Sequence, residues 1–158
     1  MITINKYPVW WDTTITIYNK HENPETGVIT WYHHTISNCF WKYTGNKIAF
    51  SNYYSANNSM VLETNDTICR IPINEIYAPN YTWINIPNDQ KGNYFTLKLG
   101  DIIVKGEVDD EINEYQSGHR STDLVAKYKA LQGCIEITKF SENIGNGRVN
   151  EHYYVKGV

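Results

Sequence analysis

GDIIVKGEV, the stretch from Gly100 to Val108, decides the fold class that the chain predicts. The β-branched residues Ile103 and Val104, placed between two glycines, are typical of a strand. Residues 109–120 then offer almost nothing to bury, and residues 121–132 predict one short helix. A hairpin of two further strands follows. The last third of the chain therefore predicts a strand, a long loop, a helix and a β-hairpin.

The helix is predicted from its ends as well as its middle. Ser121 is a residue type that favours the N-cap, and Gly133 stands where a helix C-terminus needs positive φ. The apolar positions spaced for one helical face are Leu124, Val125, Tyr128 and Leu131. Because this helix lies between two late strands, we expect it to cover one open end of the β structure.

Strand patterns also run through the first part of the chain. They cover residues 13–20, 28–43 (one long strand with a bulge, or two paired strands), 59–62, 67–73 and 94–99. Residues 45–58 predict only a weakly specified connection, with at most a short helix or strand, and residues 74–92 are long for a plain loop. Several strands with one helix predict a mainly β fold, a small barrel or sandwich with a short helix (about 121–132) and long loops. We predict a single domain over residues 1–158, with an N-terminal arm (1–12) and a long loop insert (109–120).

Composition excludes several classes of protein. The 158 residues carry a formal net charge of −3 with mixed signs, without the basic footprint of a nucleic-acid binder. No stretch approaches the length of a membrane span, and the N-terminal pattern is not that of a signal peptide. Three widely spaced cysteines predict buried free thiols in a reducing compartment.

Catalytic and metal-binding patterns are weak. His33 and His34 are neighbours on a strand and point to opposite faces, so they cannot chelate one metal ion together. Cys134 and His152 could pair as nucleophile and base, but no oxyanion loop accompanies them. We predict no catalytic residue, no metal site and no cofactor, and we expect the chain not to be an enzyme.

The order of several short motifs resembles a known family. These are TITIYNK (14–20), GDIIVKG (100–106), STDLVAKY (121–128) and HYYVKG (152–157). Together they resemble minor structural proteins, called minor capsid or head–tail connector proteins, of tailed phages that infect Gram-positive bacteria. The layout is also similar to that of head-closure (stopper) proteins.

This resemblance implies a virion protein assembled in the host cytoplasm. It implies a ring of copies of the chain at the phage neck, between the portal or adaptor and the tail proteins, with DNA passing through without specific binding and with no membrane partner. A tail terminator or another minor capsid protein are close variants of this hypothesis.

Two sets of residues follow as site hypotheses. The interface candidates are Tyr115, Gln116, His119, Arg120, Trp10, Trp11 and Tyr154. The candidates to face the channel are Asp109, Asp110 and Glu111, whose negative charge would repel DNA. An alternative hypothesis is a carbohydrate-binding β-sandwich that uses tryptophans as stacking platforms, namely Trp10, Trp11, Trp31, Trp41 or Trp83.

Overall fold

The computed structural model describes residues 7–52, 59–145 and 151–158. Its six strands are β1 (Thr13–Glu22), β2 (Ile29–Asn52), β3 (Ser59–Pro72), β4 (Ile102–Lys105), β5 (Cys134–Asn143) and β6 (His152–Gly157). All pairs are antiparallel, and the order β1-β2-β3-β6-β5-β4 closes because β4 also pairs with β1. The prediction of a mainly β fold is confirmed, and of its two forms the barrel is the one that the chain adopts.

The barrel interior holds the main hydrophobic core. Strand residues alternate between the two faces of a sheet, so Ile15 and Ile17 of β1 and Ile103 of β4 point inward. The other buried members of this core are Ile36, Cys39, Cys69, Ile71, Phe95, Leu97, Ile135, Ile137, Tyr153 and Val155. On the last strand Tyr153 points inward, whereas Tyr154, one of the interface candidates, is half-buried.

A second core lies on the outer wall of β1, β4 and β5. The outward residues of these strands are also apolar, including Tyr18 and Val104, so they need a cover. Helix α2 (Ser121–Leu131) provides it with Leu124 and Tyr128. The prediction that the helix covers an open barrel end is wrong, because the apolar surface that needs a cover lies on the outer wall of the barrel.

The ends of α2 differ in detail from the prediction. Ser121 is the first helical residue, and the cap position belongs to Arg120, whose backbone N–H donates to the Asp123 carboxylate at 3.1 Å. Leu131 is 69 % exposed and so does not join the predicted apolar face. Gly133 has φ of 116° and terminates the helix as predicted.

The connection between β3 and β4 closes one end of the barrel. It contains the one-turn helix α1 (Asn80–Trp83) and a 3-10 turn (Lys91–Asn93). Phe95 and Leu97 then enter the inner core. The strand predicted over residues 94–99 is absent from the described structure, where Phe95 forms only an isolated bridge with Tyr77. The apolar pattern of residues 94–99 arises because Phe95 and Leu97 fill the end of the barrel. In the described structure these residues pair with none of the six strands.

A buried polar network fixes this connection to β1. The Asn19 amide group donates to Thr96 O at 2.7 Å and to the Asp101 carboxylate at 2.8 Å, and Thr96 N–H donates back to Asn19 at 3.1 Å. Asp101 also accepts from Lys20 N–H at 3.0 Å and from the Lys98 ammonium at 2.5 Å. Burial raises the pKa of Asp101, and these donors oppose that rise. A buried carboxylate needs such partners, which explains why four donors converge here, the fourth being Lys98 N–H at 3.2 Å.

Strands β2 and β3 continue beyond the barrel. β2 pairs with β1 only as far as Cys39, and β3 pairs with β6 only from Thr67 onward. Past the barrel, β2 and β3 continue to pair with each other, from Asn46↔Asn65 to Asn52↔Ser59. We call this two-stranded extension, residues 44–52 and 59–66, the hairpin arm.

The arm corrects two predictions. Residues 45–52 belong to β2, whereas the sequence predicted only a weakly specified connection there. Residues 63–66 belong to β3, which has no break at the place where one was predicted. The strand pattern over residues 28–43 is confirmed in its first form, one long strand with a bulge. The bulge lies at Asn38, which has φ of 59° where the register of β2 with β1 shifts. Residues 1–6, 53–58 and 146–150 lie outside the described residues; the last of these ranges contains Asn146-Gly147, a turn signal for the hairpin predicted at the end of the chain.

Candidate interaction groove

A groove of about 880 Å³ separates the loop insert from the outer face of β2. The β2 side is formed by residues 28–33, with Trp31 and His33 facing outward, and Gly92 lies at one end. The other side is formed by residues 109–119 of the loop. We call it the loop groove. Its volume falls in the range of protein ligand sites.

The loop is held against β2 at its centre. The Tyr115 hydroxyl accepts a hydrogen bond from Ile29 N–H at 3.0 Å, and Trp31 Nε1–H donates to the Glu114 carboxylate at 2.9 Å. Asn113 N–H donates to His119 O at 2.7 Å, which closes the loop tip on itself. The groove is therefore formed within the single chain, although residues 109–120 contain no helix or strand.

Asp110 holds the entrance of the loop to the barrel and to α2. Its carboxylate accepts from the Tyr128 hydroxyl and from Lys127 Nζ at 3.2 Å, and its carbonyl accepts from the Tyr18 hydroxyl at 2.7 Å. The Tyr128 hydrogen bond is the main reason that the pKa of Asp110 is lowered. Burial, followed by the charge of Asp110, raises the pKa of Tyr18. The charge of Asp110 is thus engaged within the chain.

The residues around Asp110 alternate in exposure. Val108 is buried and Ile112 is half-buried, whereas Glu107, Asp109 and Glu111 are exposed. Alternation with period two is typical of an extended backbone, so the three free carboxylates follow one side of the segment. In the described part of the chain, the amides of residues 109–112 donate no hydrogen bond to the protein.

The structure brings most of the predicted site residues together. Six of them line the loop groove, namely Asp109, Asp110, Glu111, Tyr115, Gln116 and His119. Trp10, Trp11, Arg120 and Tyr154 do not line it. Whether the three acidic residues face a channel stays a prediction, because a single chain does not define a channel axis.

The sequence interpretation missed the contribution of β2 to this groove. Trp31 and His33 were considered only as a sugar platform and as a metal ligand. Their alternation with inward residues was visible in the sequence, but the strand register that sets them opposite the loop was not.

Trp11 must be corrected as an interface candidate. Its side chain is 6 % exposed, and its ring stacks on Tyr7 at 5.1 Å and contacts Phe40 and His152. The Tyr7 hydroxyl, in turn, donates to Glu151 O at 2.8 Å. Tyr7 and Trp11 therefore pack on the chain's own barrel, whereas the neighbouring Trp10, 68 % exposed, offers its ring to solvent.

The other tryptophans give little support to sugar stacking. Trp83 is fully buried, between the ammonium groups of Lys91 and Lys98, each 5.3 Å from its ring centre. Trp31 and Trp41 are half-buried. A stacking platform needs an exposed face, so the described tryptophans other than Trp10 are poor candidates.

Catalytic pairing of Cys134 with His152 is contradicted by their positions. Cys134 begins β5 and lies in the outer-wall core, whereas His152 pairs with Asn143 at the far end of that strand. Burial raises the pKa of Cys134 to about 12, so its thiol is not activated. All three cysteines are buried free thiols, as predicted.

The described residues hold neither a cluster of metal-binding side chains nor a helix suited to a membrane. Histidine, cysteine and carboxylate side chains do not gather there in groups of three able to hold a metal ion. Within the same residues, no helix has the length and apolar character needed to cross a membrane.

Comparison with known proteins gives one match. A family model covers residues 10–158, nearly the whole chain. The chain belongs to DUF6751, a family of unknown function. No curated protein and no solved structure matches this DUF6751 member. The loop groove, the β-barrel and the hairpin arm all lie within the matched range.

Proposed function

We propose that this chain is a structural subunit of a tailed-phage virion, acting at the neck as part of a head-closure or head–tail connector ring. Neighbouring copies would form the ring, and portal or adaptor proteins and tail proteins would contact its two faces. A tail terminator, or a minor capsid protein elsewhere in the shell, is a variant of the same proposal. The motif order described above is the sequence basis for it.

The hairpin arm is the structural observation that supports this proposal. An isolated two-stranded ribbon is marginally stable in water and exposes unpaired backbone groups along both edges. Within the described residues, the outer edges of the arm pair with no other strand. An element of this kind is stabilised when it docks on another chain, as expected for an assembly subunit.

The two edges of the arm are different, since one belongs to β2 and the other to β3. Contact between unlike surfaces repeats head to tail and can close into a ring. The mixed charge and net value of −3 are compatible with DNA passing through such a ring without specific binding.

Removing the arm tests the proposal. Residues 45–65 are replaced by an Asn-Gly turn that joins Thr44 to Asp66, which leaves the barrel pair Tyr43↔Thr67 intact. The control replaces residues 53–58 alone, so that the paired part of the arm is kept. Each variant is supplied in place of the native chain during phage growth, and its copy number per virion is measured by quantitative mass spectrometry.

We expect the variant without the arm to fold but to be absent from virions, and the control to be incorporated at the native copy number. Normal incorporation of the armless variant would contradict the role of the arm. Absence of the native chain itself from virions would contradict the proposed function.

A further inference from the structure

The loop groove has a side that resembles an unpaired sheet edge. The alternating exposure of residues 107–112 indicates an extended backbone. The four amides from Asp109 to Ile112 have no hydrogen-bond acceptor in the described part of the chain. Free backbone donors along an extended segment are what an added strand pairs with.

The negative charges of the loop groove indicate what kind of partner strand it would bind. Its lining includes three carboxylates and neither Lys nor Arg. Asp110 is already paired with Lys127 and Tyr128, which leaves Asp109 and Glu111 exposed and free of ion pairs in the described structure. These two are alternate residues, so their carboxylates are spaced about 7 Å apart, the repeat of an extended peptide.

Aromatic rings add to the preference for cations. The ring of Tyr115 is 65 % exposed, and its hydroxyl is fixed by Ile29, so the ring is held at the groove. Trp31 is fixed in the same way by Glu114. A ring face attracts an ammonium or guanidinium group, and fixed side chains lose little entropy on binding.

We propose that the loop groove binds an extended segment of another protein that carries Lys or Arg at alternate positions. Its basic side chains pair with the carboxylates of Asp109 and Glu111. Its backbone pairs with the backbone of the same two residues, because alternate residues of an extended segment share one edge and the Asp110 carbonyl already faces Tyr18. This inference rests on the groove and goes beyond the virion role, which it does not require. It gives Asp109 and Glu111 a partner-binding role in place of channel lining.

The experiment uses the full chain and a capped heptapeptide of alternating Thr and Lys, with affinity measured by isothermal titration calorimetry. A peptide of the same composition with its lysines clustered tests the spacing. The double variant Asp109→Asn/Glu111→Gln removes both charges and keeps the side-chain shapes. Glu25→Gln/Glu75→Gln is the matched control, because it changes net charge equally at exposed positions outside the groove.

We expect the alternating peptide to bind more tightly than the clustered one. The groove variant should weaken its binding about tenfold, and the control variant should leave it unchanged. Equal weakening in both variants, or equal affinity for both peptides, would reduce the effect to non-specific charge attraction and overturn the proposal.

Hydrogen exchange supplies a second readout that charge attraction alone does not move. Bound peptide should slow exchange of the alternate amides of Asp109 and Glu111. Binding without such protection would refute strand addition, and so would protection confined to the hairpin arm. No detectable binding of the alternating peptide would overturn the inference outright.

Discussion

Gly157 lies where three strands of the barrel meet, and no other residue type fits there. It pairs with Thr67 of β3 and Ile137 of β5. A Cβ atom at this position would overlap the carbonyl oxygen of Glu136 and lie 3.0 Å from Cβ of Ile135. Strands can approach this closely only where one of them has no side chain.

The variant Gly157→Ala is expected to lower the free energy of unfolding by about 2–3 kcal/mol, because backbone atoms would have to move apart. Chemical denaturation measures the change. Gly92→Ala is the control, since its new Cβ would meet only Tyr32 Cδ1 at an ordinary 3.7 Å. Equal stability of the two variants would show that the strands do not approach as described.

His34 gives the stability of the barrel a pH dependence. Its Nε2 atom is buried without a hydrogen-bond partner in the described structure. Burial is the main cause that lowers the pKa of His34; its hydrogen bond with the Gly92 backbone raises the pKa, and His33 lowers it further. The unfolded chain therefore binds a proton more readily, and stability contributed above the ordinary pKa is lost as pH falls.

We expect the free energy of unfolding to decrease from about pH 7.5 to about pH 5.5, across the ordinary histidine pKa of about 6.5. In His34→Phe the decrease should be smaller, though not absent, because burial and two nearby lysines also lower the pKa of His21. Urea unfolding across this range measures both slopes. An unchanged slope in the variant would contradict the assignment to His34.

At the scale of elements, the loop insert behaves as part of the folded body. Its anchors are side chains on three different elements: Tyr18 on β1, Trp31 on β2 and Tyr128 on α2. The groove exists only as long as these anchors hold the loop in place.

Tyr128→Phe removes the hydroxyl that donates to Asp110 and keeps the ring that covers the outer wall. We expect a loss of about 1 kcal/mol in stability and faster hydrogen exchange at residues 113–116, because the loop loses an anchor. Tyr94→Phe is the control, since no hydrogen bond of its hydroxyl appears in the described structure. Unchanged exchange in Tyr128→Phe would mean that the remaining anchors suffice.

Local patterns predicted some elements and not others. Residue alternation predicted β1, and polar composition predicted the loop insert. Residue types typical of helix ends predicted α2 and the role of Gly133. The hairpin arm could not be predicted, because its residues form backbone pairs only with each other in the described structure, and residues 45–58 have no clear strand alternation in the sequence. The side of the barrel on which α2 packs was equally hidden, since it depends on which face of β1, β4 and β5 remains uncovered.

Site residues divide in the same way. Loop composition identified Asp109, Glu111 and Tyr115, but Trp11 was misjudged, because the contact that buries it comes from Tyr7, Phe40 and His152. Phe40 and His152 are distant from Trp11 in sequence, and only the closed barrel brings them to it.

The whole molecule combines a closed barrel, an arm that extends beyond it and the loop groove on its surface. In the described residues, every strand of the closed barrel has a neighbour on both sides, so the proposed assembly contacts would fall on the arm and the groove. This division suits a subunit that keeps its own fold and joins its neighbours through projecting elements.

Cryo-electron microscopy of the neck in intact virions tests the central claim most directly. We expect a closed ring between portal and tail into which this barrel fits, with each arm against a neighbouring subunit. Density for the chain in the capsid shell would retain the virion role and reject the connector. A neck fully explained by other proteins, in virions that lack this chain, would contradict the account.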